Sequence, residues 1–345
     1  MARGSIWLAA AVREGIRLVA GTSKERRVLA ACVDPRTRFD QTAEWLVACF
    51  GSEKWFRSYV RCAESAWRAT AGGGDLALDR RQKILAGLDV SRCRGVEIGP
   101  LHAPIVSKRD GNVLYVDYTD ADTLRRKYAN NPIVDVSQIV DVDAYWGAQS
   151  LGECLAQHAP VDYVIASHVL EHVPDLITWL KEIRAILSPR GRLKLALPDR
   201  RYTFDYLRRE SQLVDVLNAY LLKARAPLPI AILDYILNTT AVDNVKAWTE
   251  GVSPQREAGR FESALSAARD AIKTGSYHDA HCWVFTCDSF KTLMADIADV
   301  GLLPFACDQY YDTELYQIEF FVSLRPCDDP KEAAASFRSF LGAGR

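Results

Sequence analysis

Residues 96–102, Val-Glu-Ile-Gly-Pro-Leu-His, constrain this chain more than any other stretch. An acid and a glycine stand where an apolar run must leave a buried strand and enter a turn. Eighteen residues beyond Gly99, a second apolar run over 112–117 closes on Asp117. A strand, a glycine turn, a connector and a second strand ending in an acid form an arrangement suited to a nucleoside. The glycine lets the backbone approach the ligand, and the acid accepts hydrogen bonds from two ribose hydroxyls. The turn is not a dinucleotide fingerprint, because Pro100, Leu101 and His102 replace everything after the first glycine of G-x-G-x-x-G. A pyrophosphate would lose its backbone cradle there, whereas a nucleoside without phosphates needs less. An E-x-G triplet also arises by chance, so the later segments must carry the reading.

The chain is long enough, at 345 residues, for one large domain with additions or for two domains. A net charge of −1 argues against a general polyanion binder. With neither a basic–aromatic stripe nor an Asn-Pro-Pro-Tyr-type motif, no nucleic-acid partner is expected. The nine cysteines lack C-x-x-C spacing, which points to reduced, mostly buried thiols in the cytoplasm. Residues 6–20 are apolar but interrupted by Arg13, Glu14 and Arg17. They read as an amphipathic helix, neither a bilayer span nor a signal peptide. Residues 1–75 form an expected helical N-terminal extension ending in Ala-Gly-Gly-Gly-Asp. Residues 1–70 hold twelve Lys and Arg against seven Asp and Glu. This extension is either a solvated cap or a surface for peripheral contact with an anionic membrane or a lipid-linked molecule.

Further along, Pro104 fits a first turn better than the interior of a helix over 101–108. Residues 120–128 carry acids first and bases last, as a helix dipole favours. A third strand is expected near 139–142. Residues 163–166 read as a buried parallel strand ending at Ser167, with a helix beginning around His168 and His172. A helix over 175–187 aligns Leu176, Leu180, Ile183 and Leu187, and Ser-Pro-Arg-Gly ends it before a strand over 193–197. An insertion of roughly 80 residues follows, which is unusually long for a structureless connection and so a place for function. A run at 283–286, a helix over 289–300, strands near 304–307 and 316–324, and a polar tail that reads as another helix complete the chain.

Together these segments resemble the class I S-adenosylmethionine-dependent methyltransferases. The E-x-G turn with its downstream acid carries part of the likeness. Asp-Tyr-Val-Ile-Ala-Ser-His-Val-Leu-Glu-His-Val at 162–173 is similar to that family's fourth motif and the L-E-H that follows it, in the broad subgroup related to ubiquinone-biosynthesis enzymes. L-x-P-x-G-x-L at 187–193 also resembles the family, although Arg190 stands where a glycine is usual. P-D-x-R-Y-T-F-D at 198–205 is similar to bacterial methyltransferases found with polysaccharide glycosyltransferases.

The resemblance implies an α/β fold: a Rossmann-like seven-stranded sheet with helices on both faces and a last strand antiparallel beside the fifth. It places a methyltransferase domain over 76–330, a helical acceptor-binding insertion over 199–282 and a tail over 331–345. It implies S-adenosylmethionine as cofactor, touched by Glu97, Gly99, Pro100, Leu101, Asp117, Tyr118, Asp141, Val142, Ser167 and His168. The acid of the first strand supports the loop and, directly or through water, the methionine ammonium. Asp141 or Asp143 could accept from the adenine amino group, and either fits a solvated loop acid equally well.

The expected activity is O-methylation of a sugar or glycan hydroxyl. The alternative is a small-molecule O- or N-methyltransferase of secondary metabolism. A nucleotide-binding oxidoreductase and a non-catalytic binding module are the readings from other classes. Methyl transfer from a sulfonium is an in-line displacement, and a hydroxyl acceptor needs a proton acceptor within hydrogen-bond reach. His281 is the first choice, ahead of His168, His172, His278 and Asp199. The positive end of a helix would keep His168 and His172 neutral; the alternative is that both only pack at the helix start. No metal is expected. The His-Asp-x-His cluster at 278–281 could hold a divalent cation, but too few further carboxylates stand at fixed spacing.

Overall fold

The computed structural model describes residues 78–147 and 149–341. The helical extension expected over 1–75, and the membrane contact considered for it, lie outside the described residues. The centre of the fold is a seven-stranded sheet in the order β3-β2-β1-β4-β5-β7-β6. Its strands are β1 (Arg94–Ile98), β2 (Asn112–Asp117), β3 (Ala144–Tyr145), β4 (Val161–Ser167), β5 (Leu187–Pro198), β6 (Phe305–Tyr311) and β7 (Glu319–Pro326). The first five run parallel, whereas β7 lies antiparallel between β5 and β6. The chain thus starts in the middle, steps outward to β3, then returns to the other side of β1. Strand order reverses between β1 and β4, and the crevice at their carboxyl ends is where open α/β sheets bind ligands.

The period-two alternation of side chains divides the apolar residues between the two faces. Val96, Val164, Leu195 and Val322 join one cluster, with helices α4 (Leu176–Ile186), α9 (Cys287–Asp299) and α10 (Pro330–Arg338). Tyr115, Tyr163, Ile165, Ala196 and Phe321 join the other, with Ile84 of α1 (Arg80–Leu85). Both faces are covered, which explains why β4 reads as nearly continuous apolar sequence. The insertion supplies α5 (Leu213–Leu221), α6 (Pro229–Asn238), α7 (Asn244–Thr249) and α8 (Phe261–Thr274), with α6 packed on α8. Helices α2 (Ala121–Tyr128) and α3 (Leu151–Cys154) complete the parallel half. Among the described residues, no helix is long and apolar enough to cross a membrane.

Several local expectations are corrected. The third strand is not at 139–142 but at Ala144–Tyr145, paired only to Val116 and Asp117. Ile139 and Val142 pack against Leu124 of α2 instead of joining the sheet, so their apolar character belongs to a loop. No α-helix begins at His168. Residues Leu170–His172 form a single 3-10 turn, and α4 starts only after Asp175 caps it. Pro174 explains the break, because the residue before a proline is driven out of the helical region, and Val173 has ψ 120°. Strand β5 begins directly after α4, so the Ser-Pro-Arg-Gly passage lies within it. The 283–286 run forms no strand and touches the sheet through one bridge, Asp199 to Phe285. The tail forms a helix, α10, as expected, but it is not polar throughout, since Ala333, Ala334 and Phe337 are buried.

Gly95 shows how tightly β1 fits β4. It lies opposite Tyr163, and an added Cβ would stand 2.1 Å from that buried ring. Gly95→Ala should therefore lower stability by about 1–3 kcal/mol or more. Gly147→Ala, where a Cβ meets nothing within 4 Å, should shift it by less than about 0.5 kcal/mol. Urea midpoints of the two variants check this.

Candidate active site

The site is built at the carboxyl ends of β1, β2 and β4. Gly99 leaves β1 with φ 66°, and its N–H bonds Val116 O at 2.8 Å. A Cβ there would lie 3.1 Å from Val169 Cγ2, so the turn rests directly on the segment after β4. Glu97 organises the loop from below. Its two oxygens accept from the N–H groups of Ile105 (2.7 Å) and Val106 (3.0 Å), folding the 100–106 backbone over the strand. Burial pushes the Glu97 carboxyl up to about 7 despite those bonds. Pro100 is buried, and Leu101 adopts φ 47° while its carbonyl accepts from Val140 N at 3.0 Å. Gly99, Pro100, Leu101 and Val142 are thus brought together, Leu101 and Val142 through one apolar cluster.

Asp117 ends β2 almost fully buried, with Oδ1 accepting from Tyr118 N at 2.8 Å. Burial raises its carboxyl to about 6. The half-exposed Tyr118 ring is covered by Lys127, 4.9 Å away. Asp141 is not gathered into this group. It is a solvated loop acid, 90% exposed, paired with Arg125 at 3.3 Å. Asp143 instead secures the sheet edge, accepting from Tyr115 N (2.8 Å) and Lys108 Nζ (2.6 Å).

At the end of β4, Ser167 Oγ accepts from Arg80 at 2.7 Å, and Arg80 also grips Glu319. His168 adopts φ 54°, bonds Glu319 through Nε2 at 2.9 Å and pairs with Glu171 through Nδ1 at 3.4 Å. Burial opposes its charge, but the two carboxylates outweigh it and lift His168 to about 10. Burial also works against the Glu319 anion, yet His168 and Arg80 hold that carboxyl at about 2. For His172, burial is likewise overcome by Asp279 and Glu171, and its pKa is raised. The expectation that a helix end keeps these two imidazoles neutral is therefore corrected: no helix starts there, and carboxylates favour their cations.

The histidines meet across the insertion. His281 is buried, and its Nδ1 bonds Asp205 Oδ2 at 2.6 Å. Asp205 also accepts from Arg208 Nη1 at 2.8 Å, and Arg208 reaches Asp234 and the carbonyl of His281. His172 Nδ1 bonds Asp279 Oδ1 at 2.9 Å, and Lys127 approaches the other Asp279 oxygen at 3.4 Å. The His172 and His281 rings meet edge to face with centroids 4.6 Å apart. Glu171 lies beside them, wholly buried, and neither of its carboxylate oxygens accepts a hydrogen bond.

Two expected residues fall outside this group. His278 turns to Asp270, 3.0 Å away, and so does not share a site with His281. Asp199 has no exposed surface, and its oxygens are taken by Arg201, Thr313 and Cys287. It fastens the turn after β5 and is not poised to accept a substrate proton. Glu171, Asp205, Arg80, Glu319 and Lys127 were not singled out from the sequence, and Asp279 entered only as part of the 278–281 cluster. Glu171 and Asp205 stand inside the passages that carried the resemblance. Arg80 and Glu319 lie 239 residues apart, so no local pattern connects them.

The sequence matches a family model described as a methyltransferase domain over residues 75–297, and the chain belongs to that family. It is accordingly an S-adenosylmethionine-dependent methyltransferase, with the Rossmann-like class I fold seen above. Among solved structures it is similar to the CcbJ methyltransferase of Streptomyces caelestis, at 13% identity and TM-score 0.36, covering 74% of this chain and 99% of that one. An S-adenosylmethionine-dependent methyltransferase of Mesorhizobium loti shows 17% identity and TM-score 0.34, with 69% and 92% covered. A Rhodobacter sphaeroides protein described as a zinc-dependent alcohol dehydrogenase shows 11% identity and TM-score 0.39, with 72% and 89% covered. These likenesses assign no activity. No curated protein matches the sequence.

The raised Asp117 carboxyl has a consequence for stability. The folded protein holds this proton more tightly than the unfolded chain, so the contribution is full below about pH 4 and is lost as pH rises through about 6. Asp117→Asn should therefore stabilise the ligand-free protein at pH 8 by on the order of 2 kcal/mol, with no comparable gain at pH 4. Denaturation curves at the two pH values test this, and an equal effect at both would contradict it.

Proposed function

We propose that this enzyme methylates a hydroxyl of a sugar or glycan. The observation that carries the reading is the convergence of His172 and His281, each held by a carboxylate of the insertion, beside the end of β4. An amine acceptor needs no such apparatus when it enters unprotonated, whereas a hydroxyl must lose a proton as its oxygen attacks. Asp117 accepts from the ribose hydroxyls, the 99–101 turn and Val142 enclose the nucleoside, and Ser167 and His168 flank the sulfonium. The acceptor oxygen forms its bond to the methyl carbon as the sulfur–methyl bond breaks, and that electron pair stays on sulfur. The proton goes to His281 Nε2, because Asp205 occupies Nδ1 and fixes the ring.

Residues 199–282 act as the cover that selects the acceptor. Tyr202 stacks on Trp248 at 4.0 Å, and Phe204 faces His281 at 4.8 Å. Flat rings among carboxylates suit a molecule with C–H faces and hydroxyl edges. The same rings favour a second reading, a planar small-molecule acceptor of secondary metabolism. We place the enzyme in the cytoplasm, since the free thiols Cys282, Cys287 and Cys307 suit a reducing compartment.

Comparing glycans from cells with and without the gene by mass spectrometry tests the acceptor, and no methyl-mass difference in any glycan would leave the small-molecule reading. Asp117→Ala should weaken S-adenosylhomocysteine binding by more than about 100-fold, having lost two charge-assisted hydrogen bonds of about 1.5–3 kcal/mol each. Normal calorimetric affinity would put the ribose elsewhere. His281→Ala should lower turnover by roughly 100-fold or more with cofactor affinity unchanged. A fall of only a few-fold would remove His281 from the role of proton acceptor.

A further inference from the structure

We propose that Glu171, His172 and His281 bind one divalent transition-metal cation. The three side chains each offer a ligand atom, and those atoms lie within 4.8 Å of one another. They come from two parts of the chain, the turn after β4 and the end of the insertion, which converge on one point where Glu171 and His281 are buried and His172 is 32% exposed. The nitrogens are presented in the manner of metal ligands. Nδ1 of His172 is engaged by Asp279 and Nδ1 of His281 by Asp205, at 2.9 and 2.6 Å. That leaves Nε2 of each ring for the cation, while an outer carboxylate fixes the ring and raises its basicity.

An independent observation points to the same occupant. Glu171 has no solvent exposure, and among the described residues neither of its oxygens receives a hydrogen bond. Buried polar groups are almost always paired, and an ionised one without donors is costly. His168, at 3.4 Å, supplies opposite charge but no hydrogen bond to these oxygens. A cation bound between Glu171 and the two imidazoles supplies what the protein does not.

Two imidazoles and one carboxylate suit zinc, cobalt, manganese or ferrous iron, whereas calcium and magnesium prefer shells of oxygen. Three protein ligands leave at least one position for an outside oxygen, as in catalytic zinc sites. In a tetrahedral zinc shell the ligand atoms stand about 3.3 Å apart. The ligand atoms therefore draw together by up to about 1.5 Å on loading, a movement within reach of small side-chain rotations.

The role of the cation rests on the methyl-transfer reading, although its binding does not. Coordinated at the open position, an acceptor hydroxyl becomes more acidic and gives its proton to solvent. Its oxygen then takes the methyl group as the sulfur–carbon bond breaks, with the electron pair leaving on sulfur. In the loaded enzyme His281 is a ligand, and it takes the proton only when the cation is absent.

The test uses the full chain, stripped with a chelator and titrated with zinc or cobalt(II) alone. After gel filtration, elemental mass spectrometry should find one cation per chain, and the cobalt form should show visible d–d absorption. Glu171→Gln should abolish retention, and Asp205→Asn should weaken it by about 10–100-fold. His278→Gln should leave it unchanged. X-ray absorption of the loaded wild-type protein should show two imidazoles in the first shell, a readout that needs no variant to fold. No retained metal, equal retention by Glu171→Gln, or a shell without two imidazoles would overturn the proposal. These measurements involve no acceptor, so their failure leaves methyl transfer standing, and failure of the glycan test leaves metal content unaffected.

Discussion

The arrangement depends on a clamp between the turn after β4 and the return of the insertion. The main-chain carbonyl of Glu171 accepts from the N–H groups of both Cys282 (2.6 Å) and Trp283 (3.2 Å). Trp283 Nε1 bonds the carbonyl of Val173 at 2.6 Å. All of these groups are buried or nearly so, where an unmade hydrogen bond costs more than a made one gains. The clamp therefore tolerates little slippage. It brings His172 and His281, 109 positions apart in the chain, within ring contact. Without it the insertion would be a helical appendage, and neither histidine would have its neighbour.

Around this clamp the charges form two connected sets. One runs from Lys127 through Asp279 to His172, joining α2 to the end of the insertion. Another links His281, Asp205, Arg208 and Asp234, with Arg208 only 1% exposed. His168 stands apart from both, pulled by Glu319 and Glu171, while Arg80 binds Glu319 and Ser167. Its left-handed backbone is uncommon for a residue with a side chain, and such strain persists only when the surroundings over-determine it. Here they do: its N–H bonds Ala196 O at 3.0 Å and its ring is held by Glu319. The residue is shaped by the end of the sheet rather than by its own preference.

The sequence made the sheet legible because buried parallel strands leave long apolar runs, and the Gly99 turn and Asp117 because each is required at a strand end. What it hid had physical causes. Ile139 and Val142 look like strand residues, but they bury against α2 through a loop, and an apolar pair does not reveal which surface it covers. Asp199 and Asp205 stand six positions apart in one passage, and nothing local says that Asp199 will be sealed by Arg201 and Thr313 while Asp205 meets His281. Glu171 was visible in the L-E-H triplet. Its want of donors appears only once residues from the distant end of the insertion close over it. His278 and His281 looked like one cluster, yet they turn to opposite partners, Asp270 and Asp205.

The buried carboxylates of the site differ in what satisfies them. Each oxygen of Glu97 accepts one main-chain N–H, so the protein itself hydrogen-bonds this acid as it holds the loop. Asp117 accepts one bond from its neighbour's N–H and is otherwise enclosed. Glu171 accepts none through its side chain. This gradient orders the need for outside partners. An enclosed acid with one bond suits hydroxyl donors, which add hydrogen bonds without adding charge. A sealed acid that no described residue hydrogen-bonds, with His168 at 3.4 Å and two further imidazoles beside it, suits a positive centre, because charge offsets so complete a loss of water. On this argument the nucleoside end and the reacting end of the pocket are distinguished less by residue type than by how much of each carboxylate the protein itself has already satisfied.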